Sequence, residues 1–168
     1  MKTTGHLSLN VIPEWERIDT VRRSTKAFLA DHHLEEDDTD AVVMIASELA
    51  ENAIKYGNFQ PNDTIRFSID VADRKITVEV ENKIDREENA HWKNLDRTIQ
   101  WIRGFQTPFQ AYIERLKQVS TSKSDESGLG LVRIAYEGQG ILDFFINRAD
   151  QVAVSAVYQL QGANRELQ

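Results

Sequence analysis

Two short runs of alternating apolar residues constrain this chain more than anything else in it. Ile65, Phe67, Ile69 and Val71 alternate with Arg66, Ser68 and Asp70, and Ile76, Val78 and Val80 repeat the pattern after Ala72 to Lys75. A period of two puts all seven apolar side chains on one face of a β-hairpin, and that face must be covered by other elements. Cysteine is absent from the 168 residues, so neither disulfides nor thiolate metal sites can supply stability, and burial has to.

The cover is legible on both sides of the hairpin. Leu7 to Ile12 reads as a strand, with residues 7, 9 and 11 inward and Pro13 ending it. Trp15, Ile18, Val21, Thr25, Phe28 and Leu29 recur at helical spacing, which predicts a helix from Glu14 to about Asp31. Glu35 to Asp38 reads as an exposed acidic connector, and Arg22-Arg23 as a solvated face. A second helix is expected from Asp38 or Thr39, each able to cap it, to a stop at Gly57.

Between Asp85 and Glu126, Trp92, Leu95, Ile99 and Ile102 predict a helix ending at Gly104. Thr107-Pro108-Phe109-Gln110 carries the signature of another helix start, running to about Val119. Ser120 to Ser127 reads as a loop, and Gly128 to Glu137 as a third core helix. Strands follow at Leu142 to Ile146 and Val152 to Leu160, with a frayed tail over 162–168.

The expected fold is therefore α/β. It is a two-layer sandwich of a mixed, mostly antiparallel sheet of about five strands with three helices on one face, and an inserted helical segment over 85–126. Its length suits one domain spanning 1–168. A net charge of -7 and a pI near 5.1 oppose nucleic acid and anionic lipid as partners. With no long apolar run and no leader-like start, a cytoplasmic location is expected.

The second helix carries the chemistry. At about 100° per residue, Glu48, Asn52 and Lys55 fall within about 60° of one another, opposite Val42, Ala46, Leu49 and Ala53. A carboxylate and an amide oxygen are hard donors suited to magnesium and its waters, and an ammonium suits phosphate. Polar residues at this spacing also describe an ordinary solvated helix face. Further on, Ser127-Gly128-Leu129-Gly130-Leu131-Val132 places two glycines where a loop meets a helix. They would let phosphates approach backbone N–H groups at the positive helix end, or else serve a tight turn with close packing.

Taken together, Glu48-x-x-x-Asn52-x-x-Lys55-Tyr56 and Gly128-Leu129-Gly130-Leu131 resemble the N-box and the later glycine box of the histidine-kinase-like (GHKL) ATPase superfamily. In size and order of elements the chain looks most like the anti-sigma-factor serine/threonine kinases. The resemblance leaves Asp85 to Glu126 unmatched, in the position of an ATP lid. It implies ATP and Mg2+ as ligands, with Asn52 on the metal and Glu48 orienting or deprotonating the attacking group. Lys55 would approach phosphate, Tyr56 would flank the nucleotide, and Gly128, Leu129, Gly130 and Leu131 would shape the phosphate turn.

Where the family places an aspartate and spaced glycines to hold the adenine amino group, this chain reads Val80-Glu81-Asn82-Lys83-Ile84-Asp85. Asn82 can still accept from that group, but as a neutral amide. The implied function is an ATP-dependent kinase acting on a small anti-sigma-antagonist-like protein in a bacterial partner-switching pathway, with a homodimer left open. The alternative is a non-catalytic binding module with a degenerate nucleotide site. The aromatic residues Trp92, Trp101, Phe105, Phe109 and Tyr112 are read first as local packing, and as a partner surface if exposed. His6, His32, His33 and His91 show no metal-ligand spacing.

Overall fold

The computed structural model describes residues 4–84, 91–121, 129–147 and 150–161. The sheet is built from β1 (Gly5–Val11), β2 (Ile65–Ala72), β3 (Lys75–Lys83), β4 (Ile141–Ile146) and β5 (Gln151–Gln159). Its order is β1-β2-β3-β5-β4, and every neighbouring pair is antiparallel. The helices are α1 (Ile18–Ala30), α2 (Glu36–Tyr56), α3 (His91–Arg103), α4 (Pro108–Thr121) and α5 (Leu129–Tyr136).

The alternation in the hairpin does what its period requires. Ile65, Phe67, Ile69, Val71, Ile76, Val78 and Val80 are all buried on the face covered by helices. Onto them α2 lays Val42, Ile45, Ala46, Leu49, Ala50 and Ala53, while α1 adds Val21 and Leu29, and α5 adds Val132 and Ile134. This is the two-layer α/β sandwich that the pattern calls for. The segment between β3 and α5 contributes α3 and α4, whose Ile99, Ile102 and Ala111 join the same core.

Several boundaries move for identifiable reasons. The predicted first helix opens with a 3-10 turn at Trp15–Arg17 before α1 begins at Ile18. In α2 the start lies at Glu36, ahead of both expected caps. Asp38 is not part of an exposed connector: it is 3% exposed and accepts the Tyr158 hydroxyl at 2.6 Å. Burial and that hydrogen bond together push the Tyr158 phenol well above its usual range. Arg22 is not simply solvated either, because its guanidinium donates to Ser47 Oγ at 2.7 Å and to Glu51 at 3.2 Å, joining α1 to α2.

Other local signals hold. Thr107 Oγ accepts the Gln110 N–H at 3.3 Å, so α4 is capped with Pro108 in its first position. α2 ends at Tyr56, and Gly57 is needed because a Cβ there would run into the Phe59 ring. Trp101 packs edge-on against Phe105 with centroids 4.7 Å apart. Phe109 and Tyr112 lean on Tyr136 at 5.2 and 5.1 Å, although Phe109 remains half exposed. Residues 148 and 149 between the last two strands, most of the 120–127 loop and the 162–168 tail lie outside the described residues.

On the open face of the sheet, the outermost strand β4 leaves Ile141 and Phe145 uncovered. Behind it, Arg103 at the end of α3 donates to the Leu142 carbonyl at 2.5 Å.

The Asp38–Tyr158 contact ties the start of α2 to the last strand. Tyr158→Phe removes the phenolic donor from a buried carboxylate and is expected to lower unfolding free energy by about 1–3 kcal/mol. Urea titration measures it, and an unchanged midpoint would show that the contact contributes nothing.

Candidate functional site

The site begins with the division of α2 into two faces. Leu49 and Ala53 face the sheet and are buried, while Asn52 and Glu48 sit at the border of that face and are only partly exposed. A cleft enclosing about 450 Å³ out to its open mouth lies against this border, lined by Leu49, Asn52, Ala53, Tyr56, Gly57, Val80, Asn82, Ile84, Leu95, Val152 and Val154. Its walls are chiefly aliphatic, and the polar groups are concentrated in Asn52, Asn82 and Tyr56.

Asn82 points inward as its parity with Val78 and Val80 requires, and it is 5% exposed. Its amide nitrogen donates to the Lys83 carbonyl at 3.0 Å. This uses one of the two N–H donors of the side chain, and the amide oxygen is of a type that can accept from a ligand.

The second motif meets the first at Gly130. A Cβ on Gly130 would lie 2.5 Å from Glu48 Oε2 and 3.7 Å from Asn52 Nδ2, so the missing side chain is what lets α5 approach this strip of α2. From the next turn of α5, Arg133 reaches Glu48 Oε1 at 2.7 Å. Burial raises the Glu48 carboxyl above its ordinary range; Arg133 opposes that shift, and Glu51 and Glu137 reinforce it. Arg133 also bonds Glu137 at 3.1 Å, and this contact is the main cause of its raised pKa.

Asn52 Nδ2 is buried and has no hydrogen-bond partner. A buried orphan donor of this kind is rare in native proteins and asks for a ligand atom. Among the described residues no three His, Asp or Glu side chains are grouped to hold a metal ion. A hard cation here would take most of its oxygens from ligand and water, as magnesium does at phosphates, with the Asn52 amide oxygen as one protein donor.

The remaining sequence candidates are placed differently. Lys55 is exposed, with its ammonium over the Tyr56 ring at 5.1 Å, outside the lining of the cleft. Leu131 is buried in the core and Leu129 is half-buried. Gly128 lies outside the described residues. Arg133 has no place in the motifs, although its spacing of three from Gly130 and four from Glu137 signals a shared helix face. Leu95 from α3 and Val152 and Val154 from β5 are cleft walls that no motif marks.

An apolar cleft with two inward amides thus lies beside the place where the glycine of α5 meets the carboxylate strip of α2. Residues 12–135 match the histidine kinase-like ATPase domain family, and the chain belongs to that family. The match runs through the 85–126 segment, which the motif resemblance had left unmatched. No curated protein matches the chain by sequence. Among solved structures the fold is similar to a chain of the SiaB-SiaC complex from Pseudomonas aeruginosa. The TM-score is 0.66 at 19% identity, over 90% of this chain and 88% of that one. Among the described residues no helix is long and apolar enough to cross a membrane.

Two outcomes follow from this geometry. Leu49→Ala is expected to cost roughly 2–5 kcal/mol, whereas Asn52→Ala removes an unpaired buried donor and leaves stability unchanged or slightly raised while abolishing magnesium-dependent nucleotide binding. Equal losses of thermal stability in the two variants would show that the faces of α2 are misassigned. The second outcome concerns pH. Glu48 holds its proton more tightly folded than unfolded, so its contribution to stability falls as pH rises from the ordinary carboxylate range through its raised folded value. Glu48→Gln should therefore raise the melting temperature at pH 7, and the gain over wild type should close on acidification below the usual carboxylate range. A gain that is constant across that window counts against a raised Glu48.

Proposed function

We propose that the protein is an ATP-dependent serine/threonine kinase of the anti-sigma-factor type, working in the cytoplasm on a small partner protein in a partner-switching pathway. The observation that carries this reading is the contact at Gly130, which gathers a carboxylate and an orphaned amide beside a cleft with an inward acceptor at Asn82. Adenine would sit between the aliphatic walls with its amino group donating to the Asn82 amide oxygen, and Tyr56 would flank it. Asn52 would ligate Mg2+, and the Gly128-Leu129-Gly130-Leu131 segment would cradle phosphates, with Lys55 reaching them from the rim.

Phosphoryl transfer needs positioning and charge neutralisation more than covalent chemistry. Magnesium supplies the neutralisation when bound. The chain's own part is to aim the acceptor and take its proton. Arg133 occupies Oε1 of Glu48, which leaves Oε2 to receive the proton of a serine or threonine hydroxyl. The hydroxyl oxygen forms its bond to the γ-phosphorus as the bond to the ADP oxygen breaks. The structural neighbour was solved in complex with SiaC, which supports a protein partner here.

A second reading, a binding module without transferase activity, draws on the neutral Asn82 in place of the family's aspartate. Calorimetry with magnesium-ATP separates the two, since absence of binding at millimolar nucleotide ends the kinase reading. Labelled ATP incubated with the protein and a cell lysate should then mark one small protein. Glu48→Gln is expected to bind ATP normally and slow transfer by about 10²–10⁴-fold; full turnover in that variant removes Glu48 as the base.

A further inference from the structure

One guanidinium in this structure serves two carboxylates. Arg133 donates from Nη1 to Glu48 at 2.7 Å and from Nε to Glu137 at 3.1 Å. Glu137 accepts in turn from the Tyr112 hydroxyl of α4 at 3.2 Å. The rings of Tyr112 and Phe109 both rest on Tyr136, so α4 docks on the end of α5 beside this chain of polar contacts. α5 thus meets Glu48 at both oxygens: Arg133 bonds Oε1, and Oε2 lies beside the space where a Gly130 Cβ would stand.

We propose that Arg133 is the positioning residue for Glu48, and that the Tyr112–Glu137–Arg133 chain makes the placement of Glu48 depend on α4 being docked. The inference rests on the kinase reading for its consequence, though not for its geometry. The guanidinium has a fixed fork of donors, and its two carboxylates compete for it. While Tyr112 occupies one oxygen of Glu137, that carboxylate holds Arg133 through a single contact. Withdrawing Tyr112 frees both oxygens of Glu137 to take the fork, which draws Arg133 away from Glu48. The other charges around Glu48 cannot replace it. Glu51 repels, and Arg22 of α1 is already bonded to Ser47 and Glu51.

The test uses Arg133→Met, Arg133→Lys and Tyr112→Phe in the full chain. For Arg133→Met the expectation is a turnover reduced by about 10²-fold with magnesium-ATP affinity within threefold of wild type, the signature of an interaction spent on the reaction and not on binding. Arg133→Lys keeps the charge without the fork and should recover part of that loss. Tyr112→Phe should lower turnover several-fold. Parallel losses of stability, affinity and turnover in Arg133→Met would reduce Arg133 to a structural role, and unchanged turnover would dismiss it altogether. A readout independent of activity is the carbon resonance of the Glu48 carboxyl group, which should move in both Arg133→Met and Tyr112→Phe. If wild type proves inactive, the kinase reading fails by itself. A Glu48 resonance unmoved by Tyr112→Phe overturns the coupling whatever the enzyme does.

Discussion

The structure depends on α2 being two things along one length. Its apolar face closes the sheet, and the border of that face presents Glu48 and Asn52 to α5 and to the cleft. Because Leu49 and Ala53 are fixed in the core, the neighbouring Glu48 and Asn52 are anchored at their backbone, and the site inherits the rigidity of the hydrophobic layer. The glycine on α5 completes this arrangement. A Cβ at Gly130 would stand 2.5 Å from Glu48 Oε2, so the close approach of the two helices depends on that absent side chain.

The alternation in the hairpin and the helical spacing of the flanking runs were enough to give the sandwich, since each pattern has only one way to bury its apolar residues. Local chemistry was equally readable where it acts within a few residues, as at the Thr107 cap and the stop at Gly57. What could not be read was pairing across the chain. Asp38 looks like part of an acidic surface run until β5 brings Tyr158 beside it, and Arg22 looks solvated until α1 and α2 are packed together. The cleft walls contributed by Val152 and Val154 exist only because β5 is inserted between β3 and β4, and nothing local states that order.

The candidate site divides in the same way. The strip on α2 and the glycines could be proposed from spacing, because both lie on single elements. Arg133 could not be given a role, because its meaning comes from a carboxylate 85 positions away. Lys55 shares the strip in projection, yet its ammonium lies over the Tyr56 ring and the residue is not among those lining the cleft.

The outermost strand has a consequence of its own. A bare strand edge invites other chains to extend the ladder, and β4 carries Ile141 and Phe145 beside such an edge. The guanidinium of Arg103 on the Leu142 carbonyl removes one of the acceptors that an incoming strand would need, and it places a positive charge where a newcomer's backbone would dock.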